Sequence, residues 1–584
     1  MEKLILLACP LAAALSLCQA GIAAEPMYVF TLSAESTPQA YDEAVAATTM
    51  QGIINRGGPR LYLLSGRDER PQYWLDILSR DGRWMKGRPR KPLAALGDIR
   101  ALAGSALKGA VIWDPKVPAS LNVATTMAGI EDAVVLSPEL AEQAAAWQLP
   151  VLVDLRWKFT GKETGSAKND AYRWAIREFI EKGRCNSHWL FLYEDAADTR
   201  HNNQGGTRFP SNVGYAVTRD WAVRNRGFVF DLSPWGDEAP ADDPNQSLGT
   251  DLATYKLILD ATMKQAAGKQ MTELAGFFAF QKYSNTPPHA SKHDPVPTEW
   301  ETVHLISPYN GYQNTAADHC YNQSFHCQAL LKPLKQPRPA APKSPEAKTY
   351  LCILMADYDS AMPLYQMMPK SWDDPARGTL PLCWGVNPNL LETYPDIIAY
   401  LYETARPNDV FTADASAAGY MNPNRILPEY LPLFVRHNKR FFEQADMTLA
   451  PMVLDWDEPS AAVKDAFVQF APDGFATIVM DFHKTGGKSP TDHVWKGMVV
   501  ANLDNSSCNS SSPEELATLM KKAIAGRVAK GQPTFMFFRI VWVPPGNVAK
   551  AIETLKTDHP EWNLEIVNPY AYFALLKRHI EARP

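Results

Sequence analysis

Blocks of lysine and arginine are missing from this 584-residue chain: its 58 basic residues are scattered among 64 acidic ones for a net charge of -6. That leaves no electrostatic footprint for nucleic acid, so no nucleic-acid partner is expected. Beyond residue 24 no stretch reaches the roughly 18 uninterrupted apolar residues of a membrane span. The chain also lacks a GxSxG elbow, a P-loop, an HExxH pair and a placed nucleophilic cysteine, which removes the common serine, phosphate and zinc-protease chemistries. Nothing in the sequence points to a particular oligomeric state.

Cysteine is sparse. Cys320 and Cys327 could close a short disulfide loop over YNQSFH in an oxidising compartment, whereas Cys352 and Cys383 lie inside apolar runs and read as buried thiols. His319 and His326 in the same HCYNQSFHC stretch match no zinc module, so a disulfide is the preferred reading. The first residues look like an export signal: Lys3, an apolar run from Leu4 to Leu17, and small residues around Ala20 to Ala24. Cleavage after Ala24 and a periplasmic or secreted protein are expected; Leu17 directly before Cys18 fits a lipoprotein box poorly.

What is present is an ordinary globular composition, 46% hydrophobic and 21% charged, enough for several cores. After a signal segment (1–24), strand, helix, strand units recur from MYVFTL to PVLVDL and predict a three-layer α/β region over 25–204, which could comprise two small subdomains. A second α/β domain is predicted over 205–330, with FVFDL, ELAGFFAF and TVHLIS as strands, and a Pro-rich linker over 331–348. The acidic loop WGDEAPADDPNQSLG, with Asp237, Glu238, Asp242 and Asp243, could hold calcium but lacks the EF-hand pattern; a solvated loop is the plainer reading.

Residues 349–584 are the most regular. Apolar runs at 350–357, 380–386, 409–413, 449–455, 475–481, 496–503, 534–541 and 563–567 alternate with helical patterns, and only HKTGGKSPTDHV connects two of them without a helix. Eight such runs match the size of a (β/α)8, TIM-like barrel, with a doubly wound open sheet as the alternative.

Acidic residues stand where these runs end: Asp357 and Asp359, Asp414, Asp455 and Asp457, Asp481. Parallel α/β sheets place their chemistry just past the C-terminal strand ends, so these six are the candidate catalytic groups and are expected to share one cleft. A helix cap explains one aspartate per junction, but the first and fourth junctions carry two. The alternation puts Asp357 and Asp359 on one side of the chain, and likewise Asp455 and Asp457, so each pair would raise one member's pKa. The preferred catalytic pair takes one member from Asp357 or Asp359 and the other from Asp414, Asp455 or Asp457. Asp373 and Asp374, before Pro375, read first as a turn or helix start. Candidate sugar-binding groups are Tyr358, Trp372, Trp384, Tyr420, Trp456, Trp542 and His483, with at least two of the aromatics expected to pack the core instead.

ADASAAGYMNP, residues 413 to 423, resembles the signature of the GxGYxYP family of "putative glycoside hydrolases", and LMADYDS, SWDDPARGTLPLCWGVNPNL, QGIINRGGPRLYLL and FVFDLSPWGDEAP resemble further blocks of it. Ala417 stands where the family name has its first Gly and Asn422 where it has its second Tyr; Gly419, Tyr420 and Pro423 are kept. The resemblance implies small N-terminal domains before a barrel-like C-terminal one; hydrolysis of a carbohydrate substrate, which needs two carboxyl groups flanking the scissile bond, is the expected activity of the strand-end acids. No cofactor is expected. The alternatives are a metal-dependent glycan hydrolase or deacetylase, in which a divalent metal could sit at Asp481, His483 and His493, and a non-catalytic glycan-binding protein.

Overall fold

The computed structural model describes residues 25–196, 216–278, 280–284, 286–315, 320–338, 342–479, 491–503, 510–528 and 531–583. The first 24 residues, Asp481 and His483 lie outside them.

Three small parallel sheets fill the N-terminal half. β1 (Met27–Leu32), β2 (Leu61–Ser65) and β3 (Arg90–Leu93) pair in the order 2-1-3; β4 (Gly109–Ile112), β5 (Ala133–Leu136) and β6 (Val151–Asp154) pair in the order 5-4-6. β7 (Trp189–Leu192), β8 (Phe228–Phe230), β9 (Thr272–Gly276) and β10 (Gly311–Asn314) form a third sheet in the order 10-9-7-8. The helix Pro38–Ile54 is buried almost all round, as expected of a helix wedged between layers.

TVHLIS does not form the expected strand. It ends a helix, Pro295–Ile306, that begins with Pro295 in its first turn after an extended Asp294. Proline supplies a suitable φ there and lacks only an N–H that the first turn leaves unpaired anyway. The β-branched content of TVHLIS favours a strand locally, and the helix start upstream overrides it.

All eight C-terminal apolar runs are strands: β11 (Thr349–Ala356), β12 (Leu382–Gly385), β13 (Asp409–Thr412), β14 (Leu449–Asp455) and β15 (Gly474–Val479), then β17 (Met498–Asn502), β18 (Thr534–Val541) and β19 (Leu564–Ile566). A short extra strand, β16 (His493–Trp495), folds antiparallel onto β17 from the end of the helix-free connection. β11 shows why such runs are uniformly apolar. Tyr350, Cys352, Leu354 and Ala356 enter one core, while Leu351, Ile353 and Met355 enter another, so helices or strands cover both faces of the strand.

These strands do not close into the expected TIM-like barrel; among the described residues no sheet is closed. They divide into β13-β12-β11-β18, with β19 beside the start of β11, and β14-β15-β17-β16. Among the described residues a single bridge, Ala415 to Met452, links the two sheets. The reason lies at the free edges: β17 is occupied by β16, while β19 pairs with Thr349 to Leu351 of β11 and does not extend the sheet beyond β18. The sheets still curl around a shared interior, since Cys352, Cys383, Val410, Met452, Ala476, Val499 and Phe537 all belong to one buried cluster.

Cys320 and Cys327 are free thiols rather than a disulfide. The Gln323–His326 turn of helix between them sends Cys327 Sγ to Arg224 Nε, at 3.2 Å, whereas Cys320 lies buried beside Tyr193, Tyr365 and Tyr394. His326 is a core residue, its Nδ1 2.8 Å from Asp396.

Candidate functional site

β11 and β18 run parallel along their whole length, and β13 lies two strands away in the same sheet, so their C-terminal ends share one edge. That edge gathers Asp357 and Asp359 after β11, Asp414 after β13, and Arg539 near the end of β18. Arg539 Nη2 is 2.7 Å from both carboxylate oxygens of Asp357. The Asp357 N–H donates to Asp414 Oδ2 at 2.6 Å, and the Asp357 carbonyl accepts from Trp542 Nε1 at 2.8 Å. Asp357 has φ of 64° and Trp542 φ of 53°. Each costs backbone strain, which the surrounding hydrogen bonds sustain and which is common where side chains are aimed at a ligand.

Asp414 is fully buried. Its N–H donates to Asn387 Oδ1 at 2.8 Å, and Gly385 is needed behind it, because a Cβ there would overlap the carboxyl group. Burial first, and then the charges of Asp359 and Asp357, hold the Asp414 carboxyl well above the ordinary carboxylate range.

The helix Pro295–Ile306 brings in Glu299, an acid that the strand-end rule does not find. Burial, and then the neighbouring Asp359 and Asp357, push its carboxyl up to about 8. Burial and then Asp357 push Asp359 up to about 7, with Arg539 pulling the other way. Both acids are half-buried. Tyr420 closes the wall: burial, followed by Glu299 and Asp359, raises its hydroxyl as well. The Tyr420 hydroxyl, Asp414 Oδ1 and Arg539 Nε are buried without a hydrogen-bond partner. These orphaned polar atoms lie closed off in the wall behind the acids, a concentration of unpaired polar groups that a packed core ordinarily avoids.

The signature loop is held to this wall by backbone pairing. Tyr420 exchanges both of its main-chain hydrogen bonds with Gln313, at 2.8 and 3.1 Å. Gly419 has φ of 104°, and a side chain on it would run into the Tyr312 ring. Asn422, one of the two departures from the family name, donates its amide to Leu454 O at 3.1 Å, and Ala417, the other, is fully buried.

The remaining candidates are placed elsewhere. Asp455 is buried at the end of β14 and accepts N–H donors from Asn424, at 2.7 Å, and from Trp456, also at 2.7 Å. Burial pushes its carboxyl up to about 7 against those bonds, so it pins the loop that follows Tyr420. Asp457 points to solvent beside it. Tyr358, Trp372 and Trp384 are core residues, bonded through Tyr358 Oη to Ser371, Trp372 Nε1 to Thr404 and Trp384 Nε1 to Asp409. Trp456 is buried and stacks on His304, ring centroids 3.9 Å apart. Trp542 is 38% exposed at the rim. Asp373 receives a hydrogen bond from Tyr73 and Asp374 caps a turn through the Ala376 N–H. Of the acidic loop after β8, Asp242 is tied to Lys168 and Lys282 and Asp243 to Ser166.

Fold and site together define a multidomain α/β protein with an acid cluster on a parallel-sheet edge. Residues 347–577 match the family described as "GxGYxYP putative glycoside hydrolase C-terminal domain", and residues 107–182 match "GxGYxYP_N second domain". The chain belongs to the GxGYxYP family. Among solved structures it is similar to "a putative hydrolase from Bacteroides thetaiotaomicron VPI-5482", at 14% identity over 95% of both chains with a TM-score of 0.68, which is a likeness of fold. A "putative polysaccharide deacetylase from Mycobacterium smegmatis" aligns at 10% identity and a TM-score of 0.29, over 42% of this chain and 94% of that one. No curated protein matches. Among the described residues no helix is long and apolar enough to cross a membrane.

Proposed function

We propose that the protein hydrolyses a glycosidic bond at the cluster of Glu299, Asp359, Asp357 and Asp414. The observation that carries this reading is the pair of half-buried carboxyl groups whose environments raise them to about 8 and about 7. Glycoside hydrolysis needs one carboxyl that keeps its proton near neutral pH and a second that gives its proton up. Glu299, brought in by the helix across from the strand ends, serves as the acid that protonates the leaving oxygen. Asp359 serves as the carboxylate partner on the other side of the sugar.

Asp357, held by Arg539, raises the carboxyls of both Glu299 and Asp359, and the arginine pulls both the other way. Trp542, exposed at the rim, offers a ring edge to a sugar, and Tyr420 closes the wall behind the acids. The family's naming as glycoside hydrolases supports the reaction class. Export directed by residues 1–24 belongs to the same proposal, since a glycan substrate would be met outside the cell.

The test is a panel of glycans and aryl glycosides with Glu299→Gln and Asp359→Asn prepared separately. Loss of turnover on a cleaved substrate in both, with melting temperature retained at pH 6, supports the reading; unchanged turnover in either removes that residue from the mechanism.

A further inference from the structure

A second constellation lies outside the acid cluster. The loop after β8 and the segment before the helix Pro295–Ile306 bring Asp237, His289 and His293 together, with one ligand-capable atom of each within 4.8 Å of the others. His293 is fully buried, while Asp237 and His289 are half-buried. We propose that these three side chains bind a divalent metal ion of the zinc type.

The tautomer of His293 carries the argument. Its Nδ1 is 2.9 Å from the Ser284 carbonyl oxygen, which can only accept, so the ring proton sits on Nδ1. In the neutral ring Nε2 is then a bare lone pair, and it faces Asp237 Oδ1 at 3.2 Å. Two electron-pair donors set against each other repel unless a cation lies between them. Ligand atoms at bonds of about 2.0–2.1 Å in a tetrahedral site stand about 3.3 Å apart. His289 Nδ1 faces the other oxygen of the same carboxylate, Asp237 Oδ2, at 3.4 Å. A histidine that gives its outer ring proton to a backbone carbonyl is the usual support of a metal-binding imidazole.

Glu238 braces the opposite ends of the rings. One of its carboxylate oxygens accepts from the Ser284 N–H at 3.0 Å; the other lies 3.2 Å from His293 Nδ1, which also favours a proton there, and 3.8 Å from His289 Nε2. A ring proton on His289 Nε2, on the side of the Glu238 carboxylate, would leave Nδ1 for the metal. Two imidazoles and one carboxylate suit zinc better than calcium or magnesium, which prefer all-oxygen sites. The fourth position is left to water. Lys292 also pairs with Asp237, so metal entry competes with one exposed salt bridge.

The location gives the metal a consequence. His293 lies just before the helix that carries Glu299, and Trp235 Nε1 donates to Thr298 Oγ1 at 2.9 Å, so the site clamps the loop onto the start of that helix. The clamp's effect on turnover rests on the proposed role of Glu299; metal binding does not.

The experiment strips the full chain with a chelator, adds zinc chloride, removes excess by gel filtration, and reads zinc per chain and melting temperature. Wild type should retain one equivalent and melt several degrees higher than the stripped chain. His289→Gln, at a half-buried position, and Asp237→Asn should each retain none while melting like stripped wild type. Wild type retaining no zinc, or both variants retaining it as wild type does, overturns the proposal and leaves a protonated histidine and carboxylate cluster in its place. A variant that melts far below stripped wild type is replaced as evidence by the other.

Discussion

Arg539 reaches Asp357 through a single nitrogen placed 2.7 Å from both carboxylate oxygens, from a strand that is otherwise apolar over TFMFFRIV. A cation in such a strand is there for the acids around it. Replacing it by methionine keeps the volume and removes the charge that pulls Asp359 down. The acidic limb of the pH-rate profile should then move up by about 1 unit or more, since an adjacent opposite charge shifts a carboxyl by that order. A limb that stays in place would separate Arg539 from the titrating acid.

The raised acids tie stability to pH. Glu299 ordinarily titrates near 4.5 and is raised to about 8 in the folded chain, so the folded state keeps a proton that the unfolded state gives up. The stability it allows is fully present below the unfolded value and is lost as pH rises through the folded one. Asp359, raised to about 7, has the same sign. Glu299→Gln should therefore melt above wild type at pH 9, with the gap closing towards pH 4, as followed by calorimetry across that range.

Gly419→Ala tests the signature loop. With φ of 104° and the Tyr312 ring against the α-carbon, alanine meets strain of about 1–3 kcal/mol before any overlap is counted. Thermal or urea melting should show at least that loss, and turnover should fall with it because Tyr420 is the next residue.

The aromatic candidates divide by burial. Trp384 is fully buried, so Trp384→Ala should cost about 3–5 kcal/mol of stability by denaturant titration. Trp542 is 38% exposed, and Trp542→Ala should leave the melting temperature within a few degrees while raising KM.

Several elements could be read directly from the sequence, for identifiable reasons. The eight C-terminal strands were visible because a parallel strand covered on both faces is a continuous apolar run, as β11 shows. Asp357, Asp359 and Asp414 were visible because they follow such runs. Closure was not: it depends on which strand takes the edge of β17, and the His493–Trp495 strand is only three residues long, too short to stand out in the sequence. Asp455 looked like its neighbours but spends its oxygens on the Asn424 and Trp456 backbone. Glu299 lies three residues ahead of TVHLIS, whose β-branched residues suggest a strand, although DPVP just before it is a helix-start signal. The His289 and His293 pair lies four residues apart in a loop, where spacing alone says little without Asp237 from another segment.

The account rests most on Glu299 as the proton donor, and leaving-group dependence tests that directly. Glu299→Ala should lose about 10²–10⁴-fold in turnover on an unactivated glycan, the usual worth of a general acid, yet stay within about tenfold of wild type on the dinitrophenyl glycoside of the same sugar, whose leaving group needs no proton. Equal losses on both substrates would contradict the assignment of Glu299 as the acid.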